Sequence, residues 1–149
     1  MKMKRFKLLL VDDDEEFVWT LAQRLGMRDL GSDSVYDGEQ ALSFIEQQEP
    51  DVMVLDLKMP GMDGMEILRH IRNIYPDLQV IILTAHGNSE LEKEALRLGA
   101  FDYMEKPVNL DKLAKRVREA YSRKVKNPAA PASTEIEGFK TAGNAGEKK

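Results

Sequence analysis

Four short apolar runs in this chain each stop at a residue able to do chemistry. Leu8-Leu9-Leu10-Val11 leads into Asp12-Asp13-Asp14, and Val52-Met53-Val54-Leu55 leads into Asp56. Val80-Ile81-Ile82-Leu83 ends at Thr84, and Phe101-Asp102-Tyr103-Met104 comes just before Lys106-Pro107. Runs of four or five buried apolar residues fit strands of a parallel sheet covered on both faces. Ligands of open α/β sheets bind outside the carboxyl ends of the strands. Three acids, a hydroxyl and an ammonium are therefore expected to converge on one edge. Such an edge suits a divalent cation and a phosphoryl group.

Between the runs the apolar spacing turns helical. Phe17, Leu21 and Leu25 recur every four residues, with Val18 and Ala22 beside them and Gly26 at the end. Trp19 falls off that face and is expected to be partly exposed, open to a partner. Ala41, Leu42 and Ile45 mark a second helix, entered through Asp37-Gly38 and stopped at Glu49-Pro50. Ile67, Leu68 and Ile71 mark a third, after a loop over residues 59–64. Leu91, Ala95 and Leu98 mark a fourth, with Gly99 at its C′ position. Leu110, Leu113, Val117 and Tyr121 mark the last. Strands are expected at 8–11, 51–56, 79–84 and 100–104. The second strand is poor, because only Leu30, Val35 and Tyr36 are apolar around it, so it should be short and at or near an edge. Five strands alternating with five helices imply a parallel sheet with right-handed crossovers.

Composition narrows the function. The 149 residues carry 32% charged side chains and a net charge of −4, with no cysteine. Disulfides, thiolate ligands and a cysteine nucleophile are excluded. A broad nucleic-acid surface would need a basic stripe, so direct nucleic-acid binding is not expected. No apolar stretch approaches the ~18 residues of a membrane span. The basic start runs into acids and not into a long apolar segment, which argues against a signal peptide and for a cytoplasmic protein. After about residue 124 the composition turns to Pro, Ala and Ser. Residues 125–149 are expected to be a disordered tail or linker, with Ile136 and Phe139 as the only candidates for docking.

Asp12, Asp13 and Asp56 would lie on adjacent strand ends. Carboxylates so close repel, so a proton or a cation must sit among them. Mg²⁺, a hard ion that takes a few oxygens and keeps several waters, suits them. The plain alternative is three solvated loop acids. Lys58 has a poor ligand side chain, but its backbone carbonyl is available. Asp56 is the candidate nucleophile, since carboxylates form acyl phosphates. Lys106 can bind a phosphoryl oxygen as a point charge, and the Thr84 hydroxyl can turn toward another. Asp14 reads as a solvated helix start, and His70 as part of a solvated face with Arg69 and Arg72.

These pieces closely resemble the receiver domain of bacterial two-component response regulators. The resemblance covers residues 4–123 and rests on Leu9-Leu10-Val11-Asp12-Asp13, on Val54-Leu55-Asp56-Leu57-Lys58-Met59-Pro60-Gly61-Met62-Asp63-Gly64, on Leu83-Thr84-Ala85, and on the segment from Gly99 through Lys106-Pro107. It implies a flavodoxin-like, doubly wound sheet of order 2-1-3-4-5, with the domain at residues 1–124. It implies phosphorylation of Asp56 by a histidine kinase or phosphotransfer protein, and changed binding to a downstream protein. Mg²⁺ would be held by Asp13, Asp56 and the Lys58 carbonyl, with Asp12 acting mostly through water. Thr84 and Lys106 would hold phosphoryl oxygens. Tyr103, paired with Thr84, would be the switch aromatic, moving inward on phosphorylation. Lys58 and His86 would sit at the mouth of the site and influence hydrolysis. The protein would be a switch and no ordinary enzyme, although it catalyses its own phosphorylation and dephosphorylation. A stand-alone, chemotaxis-regulator-like receiver is favoured over a fragment lacking its output domain. A haloacid-dehalogenase-type phosphatase fits less well, because its second Asp would fall where Lys58 stands.

Overall fold

The computed structural model describes residues 6–126. The basic start and the tail reading, with Ile136 and Phe139, lie outside the described residues. The elements run β1 Leu8–Val11, α1 Glu15–Gly26, β2 Asp33–Val35, α2 Gly38–Gln47, β3 Val52–Leu55, α3 Gly64–Ile74, β4 Gln79–Thr84, α4 Ser89–Arg97, β5 Asp102–Glu105 and α5 Leu110–Lys126. All strand pairs are parallel, in the order β2-β1-β3-β4-β5. β2 is short and at an edge, as its weak apolar pattern implies. Among the described residues no helix is long and apolar enough to cross a membrane.

The sheet divides the core by the two-residue period of its strands. Leu9, Val11, Met53, Leu55, Val80, Ile82 and Tyr103 pack with Ala41 and Ile45 of α2, Ile67, Leu68 and Ile71 of α3, and Ala95 of α4. Leu8, Leu10, Val52, Val54, Ile81, Leu83 and Met104 pack on the other side with α1 and α5. Both strand faces are thus buried, which is why β1 and β3 are unbroken apolar runs and not alternating ones.

Each helix begins just past the end of a strand, behind an Asp or Asn cap. Asp14, Asp37, Asp63 and Asn88 accept backbone N–H bonds from Phe17, Gln40, Met65 and Leu91. Asn109 does the same for Lys112 at the start of α5. The helix ends differ from one another. Gly99 (φ 104°) takes the left-handed position after α4, and the Ala100 N–H bonds back to the Ala95 carbonyl. Gly26 does not play that part for α1. The turn runs on, and Asp29 (φ 65°) takes the left-handed position, with the Leu30 N–H on the Leu25 carbonyl. Arg72 also departs from expectation. It is not a freely solvated neighbour of His70, since its Nη1 donates to the Leu78 carbonyl at 2.8 Å and burial pushes its pKa down.

Candidate functional site: an acidic pocket at the strand ends

Register brings the chemistry together. Val11 pairs with Leu55 and Thr84 with Glu105, so four strands stop at nearly one level. The Asp56 N–H bonds the Val11 carbonyl and the Lys106 N–H bonds the Thr84 carbonyl, both at 3.0 Å, which extends the ladder just beyond the strands. Asp12, Asp56 and Lys106 then continue the alternation of Leu10, Val54 and Met104, on the α1 and α5 side of the sheet. One carboxylate oxygen from each of Asp12, Asp13 and Asp56 lies within 4.8 Å of the others. Asp12 and Asp56 are only 5% and 4% exposed, whereas Asp13 faces solvent.

Lys106 crosses into this group. Its ammonium donates to Asp12 Oδ2 at 2.6 Å and lies 3.9 Å from Asp56 Oδ2. Asp12 Oδ1 also accepts the Asp14 N–H at 3.0 Å. Burial raises the Asp12 pKa above the ordinary carboxylate value, and nearby Asp56 adds to this. The bonds from Lys106 and from the Asp14 amide pull the other way without prevailing. The donor set fits a hard divalent cation, with oxygen ligands only, two of them buried and the third on the open side. Lys58 is exposed, and its N–H reaches Asp56 Oδ1 at 3.4 Å, so its main chain runs beside that carboxylate.

Thr84 and Tyr103 stand on the other side of the edge. Thr84 is fully buried, and its Oγ1 accepts the His86 N–H at 3.2 Å. The Tyr103 ring is already inside, 7% exposed, so the inward movement expected of it has no outward starting point here. Among the described residues its hydroxyl makes no well-formed hydrogen bond, the Asn88 amide lying close but out of line. Burial raises the phenol pKa, with Glu105 and Glu92 adding to it and the Asn88 amide opposing.

Three further residues shape the site without belonging to its acid, hydroxyl and ammonium set. Phe17 places its ring 4.2 Å from the Lys106 ammonium. Gly64 seats α3 on the β3 end, where a Cβ would come within 2.5 Å of Leu57 Cα and 2.8 Å of the Asp56 carbonyl oxygen. Gly87 leaves the space that the Tyr103 hydroxyl fills, 1.6 Å from where a Cβ would stand. Phe17 had a sequence signal for packing and Gly64 one for a loop, whereas Gly87 had none. His70, His86 and Trp19 are exposed, Trp19 at 65%.

A doubly wound parallel sheet with carboxylates and a lysine gathered at its carboxyl edge defines a flavodoxin-like domain whose ligand edge is charged. The family model described as the response regulator receiver domain matches residues 8–118. The chain therefore belongs to the response regulator receiver family of two-component systems. The DNA-binding transcriptional regulator NtrC of Escherichia coli K12 is 37% identical over 120 residues, 80% of this chain and 26% of NtrC. Response regulator MprA of Mycobacterium bovis is 35% identical over 124 residues, 83% of this chain and 54% of MprA. The chain thus spans about a quarter of NtrC and half of MprA. Among solved structures, the receiver domain of Francisella response regulator 1452 superposes with a TM-score of 0.75 at 33% identity, covering 80% of this chain and 98% of that one. A receiver domain protein from Clostridium thermocellum gives 0.77 at 32% identity, covering 81% and 98%.

Proposed function

We propose that this protein is a phosphoacceptor switch, in which Asp56 receives a phosphoryl group from a phosphohistidine on a histidine kinase or phosphotransfer protein. The observation that supports this most is the packing of Asp12, Asp13 and Asp56 within 4.8 Å, with the Lys106 ammonium among them. An Asp56 carboxylate oxygen attacks phosphorus, the P–N bond breaks, and its electron pair leaves with the imidazole. Asp13, Asp56 and the Lys58 carbonyl would hold Mg²⁺, with Asp12 acting mostly through water. When bound, the cation offsets negative charge on the carboxylates and on the phosphoryl oxygens. Lys106 turns from Asp12 toward one phosphoryl oxygen, and the Thr84 hydroxyl leaves the His86 amide for another. Tyr103 is then held in its inward position, which remodels the α4, β5 and α5 surface for a downstream protein partner.

The same reading makes the phosphorylation and its hydrolysis self-catalysed and Mg²⁺-dependent, with Lys58 and His86 at the mouth. It assigns residues 1–124 to the receiver, with α5 running slightly past that boundary, and residues 125–149 to a tail or linker. It places the domain in the cytoplasm without direct contact to nucleic acid. Incubation with acetyl phosphate and Mg²⁺ is expected to add one phosphoryl mass. Asp56→Asn and EDTA should each abolish the adduct, and equal labelling of Asp56→Asn would sink the assignment.

A further inference from the structure

The Lys106 ammonium is mostly buried, with its side chain 16% exposed. An ammonium has three N–H donors. Among the described residues, one hydrogen bond is made by this group, to Asp12 Oδ2, and Asp56 Oδ2 stands off at 3.9 Å. The remaining face of the charge meets the Phe17 ring, 4.2 Å from ammonium to centroid. A ring face at that distance attracts a cation through its quadrupole, more strongly where water is excluded. Apolar side chains crowd the pocket behind the ring. A void of about 10 Å³ lies behind Asp12 and Asp56, walled by Leu10, Phe17, Val18, Leu21, Val54 and Leu83.

The main chain that carries the ring is fixed. The Asp14 carboxylate accepts the Phe17 N–H at 3.0 Å, which fixes the residue in the first turn of α1. Asp14, the acid that takes no place in the pocket, thus acts on it through Phe17. The other partners of Lys106 are the carboxylates whose charge must be redistributed when a phosphoryl group arrives. The ring carries no formal charge, so it takes no coordination position on a divalent cation and needs no neutralising when phosphoryl oxygens arrive. It is a neighbour that Lys106 can keep in both states.

We propose that Phe17 is a positioning residue for phosphoryl transfer, whose ring face holds the Lys106 ammonium while that ammonium exchanges Asp12 for an oxygen of the group on Asp56. The proposal rests on Asp56 being the acceptor. A packing role alone would be met by any aliphatic side chain of similar size on this helix face.

Phe17 is replaced by 4-fluoro-, 3,5-difluoro- and 3,4,5-trifluorophenylalanine, which nearly preserve shape while stripping charge from the ring face. The rate of adduct formation with acetyl phosphate and the affinity for beryllofluoride, both with Mg²⁺, are measured beside the melting temperature. Both should fall stepwise, by roughly three- to thirtyfold across the series, with melting temperature nearly constant. Phe17→Leu should fall as far as the trifluoro variant, and Phe17→Tyr should stay near the wild type. A flat series, or losses that follow melting temperature, overturns the inference while leaving the Asp56 assignment intact. A wild-type protein that takes no adduct overturns the assignment and the inference together.

Discussion

The substitution Gly87→Ala tests how Tyr103 is held. The added Cβ would stand 1.6 Å from the Tyr103 hydroxyl oxygen and 2.7 Å from Cζ. The hydroxyl would have to retreat by roughly 2 Å to reach ordinary contact, and a ring has no bend to give. It must rotate out between β5 and α4. Exposing most of a tyrosine ring forfeits about 150 Å² of burial, or ~4 kcal/mol at 25 cal/mol per Å². Rehydrating a buried hydroxyl that makes no well-formed hydrogen bond among the described residues returns about 1–3 kcal/mol. The net loss is therefore about 1–3 kcal/mol, a fall in Tm of roughly 3–15 °C for a domain of this size. Gly87 does not occupy the left-handed region, so the alanine adds no backbone strain of its own. Thermal unfolding followed by circular dichroism reads the stability, and the ring resonances of Tyr103 read its exposure. In a Tyr103→Ala background the same substitution should be neutral or stabilising by about 0.4–1 kcal/mol, through the unfolded chain. If Gly87→Ala leaves Tm and the ring resonances unchanged, or costs as much without the ring as with it, the contact does not hold Tyr103.

Asp13→Ala should weaken Mg²⁺ binding strongly at little cost in Tm. Asp14→Ala should do the reverse, losing about 0.5–2 kcal/mol of cap stability while keeping Mg²⁺ affinity; Mg²⁺ titration by amide shifts separates them. Gly64→Ala drives a Cβ into the backbone of Asp56 and Leu57, and should lose about 1–3 kcal/mol in denaturant melts and slow adduct formation. Tyr103 sets an alkaline limit. Its phenol pKa is raised in the folded protein, so above pH ~10 the native state binds more protons than the unfolded chain and stability falls as pH rises. Tyr103→Phe should make that fall shallower, and an unaltered slope in urea melts between pH 9 and 11 would count against it.

The readable parts of this fold are those where local pattern and burial agree. β1 and β4 keep the bounds that their apolar runs mark, and the edge position of β2 follows from its polarity. β5 begins later than its apolar start, because Ala100 completes the turn that ends α4. The acid cluster was legible for a similar reason: one strand end after another carries a group of matching chemistry. What sequence could not give depends on contacts between distant segments. Gly87 has meaning only opposite Tyr103, and Gly64 only against Leu57. Phe17 has the spacing of a core residue, and its second role arises from the ammonium of a lysine on another strand. Gly26 closes α1 as its place in the pattern implies, but the left-handed turn falls three residues later, at Asp29.

The weakness of β2 has a consequence for how copies of this protein meet. An outer strand presents unpaired amides and carbonyls, and a long flat one invites another chain to join the sheet. Here the outer strand is three residues long and begins with an exposed Asp33. It offers an incoming chain few backbone partners and sets a carboxylate in its path. The segment that looks least like a strand thus makes one of the two edges of the sheet a poor template for aggregation. Replacing Asp33 and Ser34 with valine would strengthen the strand and, by the same change, make that edge adhesive.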